Sequence, residues 1–307
     1  MNTRQKNNHK TGYVSHKIYQ QHVLSPGHPE SPARLQAIEK ILDQTGMSKE
    51  LKHISPKKDP FESINEIHSS NHIRQVQTIP VTGRAAARAV SGVLEAVDAV
   101  CQKTVNNVFC AVRPPGHHAQ NAGHEEGFCF YNNVAVASRY IQKKYHLQKI
   151  LIIDWDYHHG NGTEAAFYKD PSVLFFSTHD WYAYPGTGDP SRTGDGKGSG
   201  FNINAHLPPG SGDDAIKRAW DKQLWPLLDD FNPDFILISA GFDSRKQDLL
   251  GCFSITDQGF SDLTQMGIQI ADQYCDGRLV SLLEGGYNPQ GLAKAVAAHI
   301  KSLILYA

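Results

Sequence analysis

Five short apolar runs constrain this chain more than any other feature: residues 108–112, 150–153, 173–176, 235–239 and 279–283. Val, Ile, Leu and Phe crowd them, without the alternation of apolar and polar residues that a strand with one wet face requires. Strands of that kind are covered on both faces, which is the condition of a parallel sheet. Segments of helical length lie between and around them. Ser31 and Pro32, followed by Leu35, Ile38, Ile41 and Leu42, read as an N-cap and a first-turn proline on an amphipathic helix. Residues 85–100, 133–145, 213–228, 256–275 and 290–305 read as further helices, with Pro226 kinking or ending one of them. Strands alternating with helices predict an α/β fold, a mostly parallel β-sheet flanked by helices on both faces, with its active site at the C-terminal ends of the strands. With no repeat, low-complexity tract or linker, residues 1–307 are expected to form a single domain, and residues 1–19 a poorly structured or peripheral segment. The glycine-rich stretch 182–200 is expected to be a long functional surface loop.

Composition narrows the function classes. Thirty Lys+Arg against 31 Asp+Glu leave a formal charge of -1, which offers no bulk attraction to nucleic acid or to an anionic membrane. No apolar run reaches the ~18–20 residues of a membrane span. The first residues mix Arg4, Lys6, His9, Lys10 and Lys17 with Asn and Gln, so no secretory signal is read there. Cys101, Cys110, Cys129, Cys252 and Cys275 form no C-x-x-C pair, which disfavours a disulfide framework, a zinc ribbon or a thioredoxin-type site. A cytoplasmic, reducing location is the expectation. Histidine is in excess, with 16 against 5 cysteines.

Reactive residues follow four of the five runs: RPPGHHA (113–119), DWDYHHGNG (154–162), SAGFDSR (239–245) and EGGY (284–287). Asp154, Asp156 and His158 are spaced by two, so an extended chain projects them to one side. Carboxylate and imidazole both suit zinc, and a catalytic zinc uses three protein ligands with one position open to water. Asp156 and His158 would supply two, and Asp243, at another strand end, the third. Turn residues alone would explain any one of these motifs, but several buried charges behind apolar strands are costly unless paired or bound to metal. His117 and His118 follow the rigid Pro114-Pro115-Gly116, and one of such a pair can take a proton from water and pass it to a leaving amine. Tyr287, after Gly285 and Gly286, could donate its hydroxyl to a developing oxyanion.

With these motifs in order, together with HPESPAR (28–34), GFCFYNN (127–133), PGTGD (185–189) and LPPGSGD (207–213), the chain resembles the zinc-dependent histone deacetylase superfamily. That superfamily also holds acetylpolyamine amidohydrolases and acetoin-utilisation proteins. The RPPGHHA and HHGNG forms look more like its class II branch and the bacterial relatives than class I. The resemblance implies an arginase-like α/β fold and hydrolysis of acetyl-lysine or longer acyl-lysine amides in proteins or peptides. It implies Asp156, His158 and Asp243 as Zn2+ ligands, His118 as general base and acid, His117 as its electrostatic partner, and Tyr287 as the carbonyl-polarising group. It further implies a structural K+ held by Asp154, Asp156, His158, Ser177 and Thr178. Gly127, Phe128, Tyr184, Leu250 and Gly285 would form the substrate tunnel. Asn161 stands where class I has an aspartate, which leaves His118 without that charge. Residues 78–84 are short where many members carry an aspartate-bearing rim loop, and Leu249 replaces a proline usual in class II.

Several alternatives are weaker. A manganese ureohydrolase needs a second carboxylate just past Asp243, where Arg245 stands. NAD-dependent deacylation lacks a G-x-G-x-x-G after a strand. A non-catalytic acyl-lysine binder would be expected to lose a ligand, a histidine or the tyrosine. An amidohydrolase for small acetylated amines such as polyamines is the serious rival, because it would use the same residues behind a different tunnel mouth.

Overall fold

The structure, a computed structural model, describes residues 11–306. Eight strands form one all-parallel sheet: β1 (Gly12–Val14), β2 (Lys52–Ile54), β3 (Asn107–Cys110), β4 (Ile150–Asp154), β5 (Val173–His179), β6 (Asn202–His206), β7 (Phe235–Ala240) and β8 (Leu279–Leu283). Their spatial order is β2-β1-β3-β8-β7-β4-β5-β6. The five apolar runs are the five central neighbours, β3, β8, β7, β4 and β5, which are buried along their whole length. The three strands without such a run flank them. β6 reads NINAH, and β1 and β2 are three residues each, too short to register as a pattern.

Two expectations are corrected at the N-terminal side. Residues 12–14 are not peripheral: β1 is buried between β2 and β3, and Tyr19 beyond it is fully buried. Residues 1–10 lie outside the described residues. Ser31 does not cap the first long helix, Ala33–Thr45. Pro32 takes the cap position with no side-chain bond, and the backbone oxygens of Ser31 and Pro32 accept from Arg34 N and Gln36 N instead. Three later helices do carry polar caps. Asn132 accepts from Ala135 N ahead of Asn133–Tyr145, Thr256 from Gly259 N ahead of Asp257–Tyr274, and Asn288 from Gly291 N ahead of Pro289–Leu305. Pro226 sits in the first turn of Trp225–Phe231, directly after a wide turn at Trp220–Leu224 that interrupts the helix begun at Asp213.

The chain lays down β4, β5 and β6 outward, then returns to place β7 against β4 and β8 between β7 and β3. A reversal of this kind opens a crevice at the carboxyl ends of the central strands. The register pairs Asp154 of β4 with Ser177 of β5 and Ser239 of β7, so the polar residues that end these strands lie at one level.

Much of the histidine excess is structural, including His179, which is wholly buried. Burial holds His68 down to about 4, against a smaller opposing bond from Nδ1 to Gln120 O, and lowers His179 and His299 to about 3. His299 lies among Phe109, Trp155 and Phe242 and is held between Thr264 and Ser281. An unfolded imidazole titrates near 6.5, so between there and about 3 the unfolded chain binds the proton that folded His299 refuses, and stability falls as pH falls. Replacing His299→Gln should therefore make the loss of stability between about pH 6.5 and about pH 5 shallower by up to about 1.4 kcal/mol per pH unit. Urea midpoints across that range check this. Parallel profiles for variant and wild type would contradict it.

Candidate active site

Four loops meet at the sheet's carboxyl edge, and their buried acids hold one another's backbones. Asp156, after β4, accepts from His158 N (2.9 Å) and from Gly285 N (2.8 Å) in the loop after β8. Asp243, after β7, accepts from Tyr157 N at 2.9 Å. Glu284, at the end of β8, accepts from Gly116 N (2.6 Å) and His117 N (3.2 Å) in the loop after β3. Each carboxylate so pins the loop of another strand, a neighbour for Asp243 and Glu284 and the next strand but one for Asp156.

Asp156, His158 and Asp243 come together with one donor atom from each within 4.8 Å of the others, the one such group among the described residues. His158 Nδ1 lies 3.2 Å from Asp156 Oδ1 and 3.0 Å from Asp243 Oδ2. Burial pushes His158 down, but hydrogen bonds to the two carboxylates override it and raise it to about 10. Burial and then Asp156 push Asp243 up to about 7. Two carboxylates and an imidazole this close, and this dry, are chemically a cation's donor set. Backbone leaves them room: a Cβ at Gly241 would stand 2.0 Å from Asp156 Oδ2, and one at Gly285 2.1 Å from Asp243 Oδ2. Gly285, expected in the substrate tunnel, backs these carboxylates.

The paired histidines are given opposite characters. His117 Nδ1–H donates to Asp154 Oδ2 at 2.9 Å; burial lowers its affinity for a proton, but Asp154 and Asp156 raise it well above the usual imidazole range. His118 Nδ1–H donates to the Asn161 amide oxygen at 2.7 Å, and burial, then His117, hold it well below that range. Its Nε2 lone pair is left free to take a proton. The two rings are 4.0 Å apart.

His118, His158 and Tyr287 lie at a cavity of ≈ 680 Å³ whose lining includes Gly127, Phe128, Tyr184 and Leu250. Phe128 adopts φ 70 and packs edge-on to Tyr287 at 5.7 Å. A Cβ at Gly127 would meet His118 Cδ2 at 2.4 Å, so glycine lets the wall close on the histidine. Tyr287 is buried, and burial together with Asp243 keeps its phenol protonated well above 10. Of the residues expected to hold potassium, Asp154 pairs in register with Ser177, and Thr178 Oγ1 donates to Asp154 O at 3.5 Å.

Sequence reasoning gave no role to several groups on which this geometry rests. Glu30 is wholly buried and receives Arg113 at both carboxylate oxygens and Arg34 at 3.1 Å. Arg34 in turn donates to the carbonyls of Glu284 and Gly286, with its guanidinium 5.1 Å from the Tyr287 ring centroid. Charged residues inside HPESPAR and RPPGHHA were the available signal, since a buried charge needs a partner of opposite sign. His124, Glu125 and Glu126, which belong to none of the motifs, also line the cavity.

This chain matches the family described as the histone deacetylase domain over residues 28–303, and it belongs to that family. It is 38% identical over 298 residues to a probable deacetylase of Archaeoglobus fulgidus, covering 92% of this chain and 82% of that protein. It is 34% identical to histone deacetylase 5 of Arabidopsis thaliana over 328 aligned positions, 96% of this chain but only 49% of that protein. The crystal structure of the HDA15 HD domain superposes with a TM-score of 0.90 at 33% identity, covering 97% of this chain and 88% of that one.

A negative charge beside His118 should undo its low proton affinity. Asn161→Asp is expected to raise the His118 pKa by about 1–3 units, followed by imidazole NMR. An unchanged titration would mean that burial and His117 alone set it.

Proposed function

We propose that this chain is a zinc-dependent amidohydrolase that removes acetyl or longer acyl groups from lysine side chains in proteins or peptides. The observation that carries this reading is the Asp156, His158 and Asp243 donor set at a cavity lined by His118 and Tyr287. Two oxygen ligands and one nitrogen, with a side left open to the cavity, suit zinc, which when bound would polarise the acyl carbonyl and make water a better nucleophile. Tyr287, kept protonated, donates to the carbonyl oxygen as negative charge gathers there. His118, neutral with Nε2 free, takes a proton from the attacking water and returns it to the nitrogen of the breaking C–N bond. His117, held cationic by Asp154 and with its ring centroid 4.0 Å from that of His118, stabilises the negative charge of the intermediate. The products are a carboxylate and a free amine. A potassium ion held by Asp154 and Ser177 side chains, with backbone carbonyls of Asp156, His158 and Thr178, would stiffen the loop that carries two of the ligands.

The apolar character of the mouth supports acyl-lysine: Leu250 and Tyr184 line it, and Leu249, next to Leu250 in the chain, is 63% exposed. Glu125 and Glu126 on the mouth favour the second reading, a cationic acetylated polyamine. A competition assay of acetyl-lysine peptide, long-chain acyl-lysine peptide and acetylspermidine separates them, and turnover of the polyamine alone would overturn the first.

Two further outcomes are expected. Chelation should abolish hydrolysis and added zinc restore it, with full activity in metal-free protein excluding the mechanism. Tyr287→Phe should lower kcat by about 100-fold or more while leaving the unfolding midpoint close to wild type.

A further inference from the structure

Tyr287 follows two glycines, one of them, Gly286, at φ +118, so its own segment does little to hold its phenol in place. Arg34 holds the Gly286 carbonyl and Phe128 packs on the ring, and the backbone of Tyr287 itself is held by Asp248, in the loop between β7 and the helix Asp257–Tyr274. Asp248 Oδ2 accepts from Tyr287 N at 2.7 Å and from Asn288 N at 3.1 Å. Its other oxygen, Oδ1, accepts from Leu250 N at 3.0 Å. One carboxylate thus binds the backbone of the tyrosine and the backbone of a residue lining the cavity mouth.

The loop that carries Asp248 is itself anchored. Arg245 donates from Nε and Nη2 to Asp257, at 2.7 and 3.1 Å, and from Nη1 to Lys246 O. Lys246 N donates to Ile255 O, and Asp248 N to Arg245 O. Asn288, whose side-chain oxygen caps the last helix, returns a bond from Nδ2 to Gln247 O at 3.0 Å. Tyr287 is therefore braced between a helix cap and an anchored loop, with Asp248 as the joint.

We propose that Asp248 is a positioning residue: it holds Tyr287 at the carbonyl-polarising position and makes the Leu250 rim and the tyrosine one mechanical unit. It touches neither substrate nor metal in this role, and the inference rests on the reading of Tyr287 given above. Three backbone N–H groups require two accepting oxygens. The substitution Asp248→Asn leaves one oxygen and turns an NH2 group toward donors, so either the tyrosine side or the rim side is released.

The test is a double-mutant cycle on the full chain with an acetyl-lysine peptide, combining Asp248→Asn with Tyr287→Phe. Asp248→Asn alone should lower kcat about 10- to 100-fold, with KM within about 3-fold and metal content unchanged. In the Tyr287→Phe background the same substitution should cost less than about 2-fold, because the group it positions is already gone. Asp248→Glu, which restores the carboxylate, should recover part of the loss. An equal fold-loss in both backgrounds, or wild-type turnover in Asp248→Asn, overturns the positioning role and leaves the hydrolase reading standing. Wild-type turnover in Tyr287→Phe overturns the tyrosine's role and this inference with it. If Asp248→Asn does not fold, Asp248→Ser, which keeps a short acceptor for Leu250 N, replaces it in the cycle. Unfolding by both would make Asp248 a stability residue and overturn the proposal.

Discussion

Four carboxylates, Asp154, Asp156, Asp243 and Glu284, lie at the carboxyl ends of the central strands with 0–1% exposure. Keeping such groups dry is tolerable only where each finds donors or a counter-charge. For three of them the donors are backbone amides of other strands' loops, Gly285 for Asp156, Tyr157 for Asp243, Gly116 and His117 for Glu284, while Asp154 has the His117 imidazole. The requirement to satisfy buried acids therefore does two things at once. It sets the loops relative to one another, and it concentrates negative charge where a cation and an imidazolium can be held.

A second buried ionic group carries that order to the N-terminal side. Glu30 joins Arg113, which precedes the paired histidines, to Arg34, which holds the carbonyls on either side of Gly285. The loop of β3 and the loop of β8 thus share one carboxylate, wholly buried, outside the reacting centre. Electrostatics then divides the two histidines. A carboxylate behind His117 and an amide behind His118 give one ring a charge and keep the other neutral, although they are adjacent in sequence and 4.0 Å apart in space. A proton-accepting base and a fixed positive charge are thereby obtained from one dipeptide.

Central strands were legible because burial on both faces forces continuous apolar runs, and the three flanking strands were not, because β6 tolerates Asn and His and β1 and β2 are too short to show a period. Helix ends read well where a polar side chain caps them, as at Asn132, Thr256 and Asn288, and failed at Ser31, where backbone oxygens serve instead. Asp156, His158 and Asp243 could be singled out because acids and imidazoles directly after apolar strands have few structural uses. Glu284 stood in the EGGY motif but drew no role, and Asp248 could not be singled out, since it follows no apolar strand and what it accepts are backbone amides, which leave no mark on the sequence.

Periodicity and residue chemistry are local, so the order of amino acids was enough to specify the α/β class, the five central strands and the four strand ends where reactive side chains gather. It also carried the resemblance to the histone deacetylase family. Which loops face one another was settled by folding in three dimensions, as was the place of Gly285 against the ligand set, and the burial of His179 and His299 as neutral rings. Those facts depend on strand order and on contacts between residues more than a hundred positions apart in several cases, such as Asp156 with Gly285 and Arg34 with Gly286. No local pattern encodes a partner that distant; only the closing of the sheet brings it into reach.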